Sequence, residues 1–187
     1  MPVAPVPTDD LLLERARQGD QQACRLLVER YEGVVAATVI GMLGRGADAD
    51  DVGQETFVRF FRSLNQFRGD ASLKTYLTRI AMNQSLRALK KRQRWRLRFF
   101  STEDDETETL ARMPDSRDVQ GEREQREFVQ SALQTLPAAQ RSVVVLRMLE
   151  GFDTNETAEM LGIPPGTVMS RLARALEKLE DELRPLL

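Results

Sequence analysis

A run of cations at helical spacing carries the clearest chemistry in this 187-residue sequence. Between Lys74 and Arg98 there are nine lysines or arginines and no aspartate or glutamate. One stripe of a helix would hold, three or four residues apart, Asn83, Arg87, Lys90, Lys91, Arg94 and Arg98. A solvated helix face usually mixes acids among its bases, because i,i+4 pairs of opposite charge stabilise it. The unrelieved stripe therefore favours a polyanion, nucleic acid, over a merely solvated surface.

A second candidate surface lies in the C-terminal stretch FDTNETAEMLGIPPGTVMSRLARALEKLEDEL. Asp153 and Glu156 match a capping box, and Gly162 suits the left-handed residue that ends a helix. Pro165 suits the first turn of the helix that follows. The predicted inner face of that helix is Val168, Leu172, Ala175, Leu176, Leu179 and Leu183, and its outer face is Thr167, Ser170, Arg171, Arg174 and Lys178. This layout favours a DNA-reading helix-turn-helix over an ordinary helical hairpin.

The composition excludes several kinds of enzyme. The chain has no histidine and a single cysteine, Cys24, which is most simply a buried small hydrophobe. A tetrahedral zinc site, a Ser-His-Asp or Cys-His pair and a disulfide framework all lack parts. No phosphate-binding glycine loop is present. We expect no catalytic activity, no metal and no cofactor.

The elements that position these residues all have the helical period. Thr8 or Asp9 caps a first helix, Asp20 a second, and Asp48 opens a third. The third helix has an apolar stripe made of Val52, Phe57, Phe60, Phe61 and Leu64. Ser72 caps the long basic helix, whose core face is Leu73, Tyr76, Leu77 and Ile80.

The charge reverses after the basic helix, with seven acids against two arginines from Glu103 to Asp118. This segment is poor in apolar residues and is typical of a linker. The sequence therefore predicts an all-α chain of two small helical domains joined by a flexible acidic linker. The predicted boundaries are a disordered tail over 1–7, a first domain over 8–98, the linker over 99–121 and a second domain over 122–187.

The N-terminal stretch MPVAPVPTDD has neither a basic start nor a long apolar run, and no later segment approaches a membrane span. We expect a cytoplasmic protein without membrane insertion.

Two segments resemble a known family. DADDVGQETFVRFFRSLNQFRGDASLKTYLTRIAMN is similar to conserved region two of the extracytoplasmic-function (ECF) sigma factors, and GFDTNETAEMLGIPPGTVMSRLARA is similar to their region four. The QETF, FRGDAS and GTVxSRLxRA signatures are specific together, and both regions occur in the expected order. The resemblance implies a dissociable specificity subunit of bacterial RNA polymerase that directs promoter-specific initiation.

The resemblance also implies a core-binding surface on the third helix, facing the polymerase core of beta and beta-prime subunits. The matching positions are Asp50, Asp51, Gln54, Glu55 and Arg62. A solvated face opposite the phenylalanine stripe is the alternative for these positions.

Region two would bind the promoter's minus-ten element as double-stranded DNA and capture a base of the melted strand, which starts strand opening. By position, Phe67 and Asn83 resemble the pocket residues. Asn83 offers a donor and an acceptor to a base edge, and Phe67 either covers a base or belongs to the core. Arg87, Lys90 and Lys91, with Arg94, would follow backbone phosphates.

Region four would read the minus-thirty-five element through Thr167, Met169, Ser170, Arg171, Ala173 and Arg174. Met169 departs from the family's common Lys or Arg, Ala173 from a larger residue, and Thr157 from an aliphatic one. These departures leave fewer hydrogen-bond donors for the groove, so readout would depend more on DNA shape and apolar contact.

Three roles remain open for the acidic linker. It would mimic nucleic acid in the polymerase channel, shield the basic helix of the free protein, or simply be a polar linker. On family grounds we also expect an anti-sigma factor. A stand-alone helix-turn-helix regulator is the alternative function; it leaves the QETF segment and the basic first domain without a use.

Overall fold

Helices make up the architecture in a computed structural model that describes residues 7–99 and 120–184. Within those residues the α-helices are α1 (Asp9–Arg17), α2 (Gln21–Leu43), α3 (Ala47–Arg62), α4 (Leu73–Phe99), α5 (Gln120–Thr135), α6 (Ala138–Val144), α7 (Thr154–Leu161) and α8 (Pro165–Leu183). A 3₁₀ turn, Leu64–Gln66, follows α3, and a π-helical turn, Val145–Leu149, follows α6. Neither described range contains a β-strand, which confirms the all-α prediction. The predicted N-terminal tail and acidic linker fall almost wholly outside the described residues.

The N-terminal bundle, α1–α4, has one apolar core. Phe60 of α3 is fully buried there, with Leu27 of α2 and Leu77 of α4. The predicted stripe of α3 and the predicted core face of α4 both belong to this cluster. Cys24 is half-buried against it, and burial raises the pKa of its thiol. The helical period was therefore enough to predict the core faces of α3 and α4.

Local capping signals explain where the helices of this bundle begin. The Thr8 hydroxyl accepts from the Leu11 amide, and the Asp20 carboxylate accepts from the amides of Gln22 and Ala23, as predicted. Hydrogen bonds from the Arg15 guanidinium and from these two backbone amides lower the pKa of the Asp20 carboxyl. Ser72 likewise caps α4 by accepting from the backbone amide at position 75.

The prediction that Asp48 opens α3 is wrong. The helix begins at Ala47 after Gly46, which has φ 142° and no side chain to cap with. Asp48 and Asp50 instead occupy the first turn, where the positive end of the helix dipole favours carboxylates.

The C-terminal bundle, α5–α8, contains the predicted helix-turn-helix. Asp153 and Glu156 form the capping box, with each side chain accepting from the other residue's amide. Gly162 ends α7 in the left-handed conformation (φ 64°, ψ 39°), and Pro165 is the first residue of α8. The core of the bundle is Leu133, Leu136, Val143, Val144, Ala158, Val168, Leu172 and Ala175.

Leu176 does not belong to the inner face of α8, contrary to prediction. It is 42% exposed, whereas Val168 and Ala175 are fully buried. At 100° per residue Leu176 lies about 80° around the helix from Val168, at the edge of the apolar stripe.

The two bundles pack against each other. A third apolar cluster takes Met42 and Met82 from the N-terminal bundle and Val145, Leu146, Phe152 and Met160 from the C-terminal one. The π-helical turn supplies part of this contact and delivers Glu150, which is buried, to the junction. Helix α4 thus has a third face that the sequence analysis did not anticipate.

Candidate nucleic-acid and polymerase interfaces

The basic stripe of α4 is exposed on the surface as predicted. Asn83, Arg87 and Arg94 are all exposed, while Leu77 and Ala81 on the opposite face are buried. A concave patch of about 390 Å³ runs along the stripe, lined by Arg87, Lys90, Lys91, Arg94, Trp95 and Arg98. In the part of the chain that is described, none of the five cations in this patch pairs with a carboxylate. Five cations side by side make this patch strongly positive, and such a charge attracts a polyanion.

Trp95 is a surface residue of this patch that the sequence analysis missed. Its side chain is 56% exposed, and the neighbouring Leu97 is 68% exposed. An indole among cations is a platform on which a base can stack. Trp95 lies four residues after Lys91 and three before Arg98. This helical spacing places it on the basic stripe and could have identified it from the sequence.

Phe67 belongs to the core in the structure, which is one of the two roles that the sequence left open for it. It is 9% exposed, and its ring lies 5.0 Å from that of Tyr76. Arg17 of α1 donates to its carbonyl at 2.7 Å, which fixes the turn between α3 and α4. In this conformation most of the ring is covered by the core. Phe67 also lines a surface depression of about 360 Å³, together with Arg17 and Arg68.

Helix α3 presents a polar face opposite Phe60. Asp50, Asp51, Gln54 and Arg62 are exposed, and Glu55 is half-buried with its carboxylate 2.7 Å from Arg59. Val58 is 41% exposed and falls among these positions. Val58 was not predicted as a site residue, because apolar side chains were expected only in the core. Val58 lies four residues after Gln54 and three after Glu55, and this helical spacing places it on the same face.

The outer face of α8 carries few strong donors. Met169, Ser170, Ala173 and Arg174 are exposed, and Thr167 and Arg171 are half-buried. The Ser170 hydroxyl donates to the Thr167 carbonyl at 3.1 Å, which uses its proton within the helix. The Thr154 hydroxyl contacts the Met169 sulfur at 3.6 Å. Lys178, predicted on the same outer face, is exposed and donates to the Thr135 carbonyl at 2.7 Å. Arg171 and Arg174 are therefore the charged groups of this face best placed for a DNA contact.

The described residues include no helix both long and apolar enough to cross a bilayer.

Comparison with known proteins assigns both bundles to a family. Residues 27–95 match the family described as Sigma-70 region 2, and residues 127–179 match Sigma-70, region 4. The chain is 35% identical over 188 residues to the ECF RNA polymerase sigma-E factor of Salmonella typhimurium (strain LT2), with 96% of each chain covered. The corresponding factor of Escherichia coli (strain K12) is also 35% identical, with 96% of each chain covered. That of Haemophilus influenzae is 34% identical, with 96% of this chain and 97% of the relative covered.

Solved structures are similar over most of the chain. CnrH in complex with the cytosolic domain of CnrY is 28% identical with a TM-score of 0.65, covering 95% of this chain and 97% of that one. The sigma factor RpoE in complex with the anti-sigma factor NepR from Bartonella quintana shares the fold, with a TM-score of 0.66, 24% identity, and coverage of 86% of this chain and 96% of that chain.

The two helical bundles and the families that they match define a promoter-recognition subunit of bacterial RNA polymerase. The chain belongs to the sigma-70 family and, within it, to the ECF sigma factors. Its N-terminal bundle is region 2 and its C-terminal bundle is region 4. ECF sigma factors direct bacterial RNA polymerase to promoters and are not known as enzymes.

Proposed function

We propose that this chain binds the polymerase core through the polar face of α3, engages the minus-ten element through α4 and reads the minus-thirty-five element through α8. The observation that carries the proposal is the exposed basic stripe of α4, whose cations in the concave patch lack carboxylate partners in the described residues. Asn83 is the first residue of the stripe, on a helix anchored by its buried opposite face. The chain acts in the cytoplasm, at the nucleoid once polymerase-bound.

At the minus-ten element, phosphate contacts and base contacts have separate roles. Arg87, Lys90, Lys91 and Arg94 hold the backbone in register, and Asn83 hydrogen-bonds the edge of a base that has left the stack. Phe67 stays in the core in this assignment and supports the turn that leads into α4. Strand opening then needs no catalytic residue, because capture of the unstacked base stabilises the melted state.

At the minus-thirty-five element the recognition helix works with modest affinity. Arg171 and Arg174 contact phosphates or base edges, with Thr167 and Ser170 beside them, and Met169 and Ala173 add apolar contact in the major groove. A weak second contact suffices when both are tethered to one polymerase, because the linked sites gain from effective concentration.

The α3 face gives a testable prediction for polymerase binding. Gln54→Ala combined with Arg62→Ala should weaken the Kd for core polymerase at least about tenfold, because hot-spot truncations cost about 1–2 kcal/mol each. Both side chains are exposed, so the thermal midpoint should change little. Titration of labelled protein with purified core measures the Kd, and Arg25→Ala on α2 is the exposed control. An unchanged Kd in the double variant would remove α3 from the interface.

An anti-sigma factor is a further proposed partner. The similar protein CnrH was solved in complex with the cytosolic domain of CnrY. A protein of that kind would compete with polymerase for the exposed faces of α3 and α4.

The function is tested by multi-round transcription with purified bacterial core polymerase on a template library with randomised promoter elements. Transcripts that require this protein, from templates enriched at two spaced elements, are the expected result. The stand-alone regulator predicts operator binding without core polymerase and no co-elution with it. Absence of both dependent transcripts and co-elution would overturn the sigma-factor proposal.

A further inference from the structure

The exposed side of α8 has two chemically different flanks. At about 100° per residue, Ser170 lies opposite the buried residues Val168 and Leu172 and marks the outward line of the helix. On one side of this line lies a basic flank, made of Thr167, Arg171, Arg174 and Lys178. On the other side lies an apolar flank, made of Met169, Ala173 and Leu176. The helix therefore keeps its cations apart from its exposed apolar surface.

The apolar flank is a continuous exposed band. Met169 is 53% exposed, Leu176 is 42% exposed, and Ala173 between them is exposed as well. Their spacing of four and three residues makes a band about 10 Å long on one side of the helix. None of the three belongs to the apolar clusters formed by the described residues. The band therefore contributes little to the core and is accessible to a ligand.

The first residue of α7 orients Met169. The Thr154 hydroxyl contacts the Met169 sulfur at 3.6 Å, which restrains a side chain that is otherwise flexible. Next to it, the Ser170 hydroxyl donates its proton to the Thr167 carbonyl at 3.1 Å. A base edge that meets this side of α8 therefore finds methyl and thioether groups and few hydrogen-bond donors.

The charges along α8 decide which part of the apolar flank can approach DNA. The segment from 177 to 182 contains four acids, Glu177, Glu180, Asp181 and Glu182. Phosphates repel this segment and attract Arg171 and Arg174, which precede it. Recognition helices contact base edges with their N-terminal residues. Met169 and Ala173 are therefore the members of the flank that reach the groove, and Leu176 lies at its edge.

The major groove offers the apolar flank one matching group. Among the base edges exposed there, only thymine carries an apolar group, its C5 methyl. Guanine presents two acceptors, and a side chain without donors leaves both unpaired once water is excluded. Contact with thymine methyl groups is thus the readout that a methionine and an alanine can perform.

We propose that the apolar flank of α8 reads thymine in the minus-thirty-five element. Met169 and Ala173 contact the C5-methyl groups of thymines on neighbouring base pairs, while Arg171 and Arg174 bind the phosphates beside them. The proposal rests on the proposed function and names the bases that region 4 selects. Removing one contacted methyl should lower the affinity about threefold to fourfold, because burial of a methyl contributes about that factor.

Replacement of thymine by uracil removes only the methyl and tests this contact directly. The probe is the promoter enriched from the randomised library, labelled with a fluorophore, and each thymine of its upstream element is replaced in turn by deoxyuridine. Binding by the chain together with core polymerase is measured for each DNA. The Kd should rise about threefold to fourfold at one or two neighbouring positions and stay unchanged at the others.

Variants of Met169 show whether the methyl effect belongs to this side chain. Met169→Ala should weaken binding of the thymine promoter by about the same factor and abolish the deoxyuridine effect at one position, because both changes remove the same contact. Met148→Ala is the matched control: Met148 is 59% exposed on the π-helical turn and should keep the full deoxyuridine effect. Met169→Arg should shift the preferred base at that position toward guanine, because arginine donates to both guanine acceptors. Such a gain of preference cannot arise from a loss of fold.

An enriched upstream element without thymine would overturn the proposal. Deoxyuridine changes that leave the parent unaffected, or that affect the parent and Met169→Ala equally, would also overturn it. Failure of the proposed function appears separately, as the absence of a complex between the chain and core polymerase. The selection and the deoxyuridine series are then run on duplex DNA with the full chain alone, and the same outcomes decide the thymine contact. Absence of sequence-selective DNA binding in both settings would overturn it as well.

Discussion

Replacing Arg87, Lys90, Lys91 and Arg94 together with alanine should weaken promoter binding by the polymerase complex at least about 100-fold at low salt. Each lost phosphate contact removes about 0.7–0.9 from the slope of log K against log salt, so the slope should fall by about 3. The four side chains are exposed or nearly so and lie opposite the core face, so the fold should survive. Binding of fluorescent promoter DNA at several KCl concentrations gives both quantities.

A charge-preserving variant separates phosphate contact from other effects of the same positions. Arg87→Lys with Arg94→Lys keeps the charge and should leave the salt slope within about 0.5 of the parent. If the four-alanine variant kept the parental slope, the stripe would not contact phosphates, and its lack of acids would need another explanation.

Phe60→Ala should lower the free energy of unfolding of region 2 by about 3–5 kcal/mol. Phe60 is fully buried, with its ring centroid 4.9 Å from Phe61 and 6.3 Å from Tyr76, so truncation leaves a cavity that stiff neighbours cannot fill. The total free energy of unfolding of a domain is about 5–15 kcal/mol, so the variant would be close to unfolding. Urea denaturation followed by circular dichroism measures the change.

The control for this prediction lies two residues away on the same helix. Val58→Ala removes an exposed side chain and should change the unfolding free energy by less than about 0.5 kcal/mol. Similar losses in both variants would mean that the core is not centred on Phe60.

The parts of the fold that the sequence predicted correctly depend on local signals. The capping box at Asp153, the left-handed Gly162 and the proline at position 165 each act within a few residues, and all three are present. The core faces of α3 and α4 followed from the helical period. Asp48 misled because a carboxylate suits both the cap and the first turn, and in this chain Gly46 takes the cap.

The junction between the regions could not be predicted because it depends on residues distant in sequence. Met42, Met82 and Met160 look like ordinary core residues, and Arg141 looks like a surface cation until the end of α2 is placed beside it. The sequence predicted two faces for α4, and Met82 forms a third face with Leu86 and Leu89. The burial of Phe67 could not be predicted for the same reason, because its ring is covered by Tyr76 from the next helix.

The three methionines of the junction also make it sensitive to oxidants. Met42, Met82 and Met160 are 0%, 1% and 7% exposed where the two bundles pack together, so peroxide would reach them only if that contact opened. Oxidation turns a thioether into a polar sulfoxide that no longer fits an apolar contact. The extent of sulfoxide formation at these positions, read by mass spectrometry, would therefore measure how often the contact between the two bundles opens. A chain oxidised there would pack its two bundles together again only after a reductase had restored the thioethers.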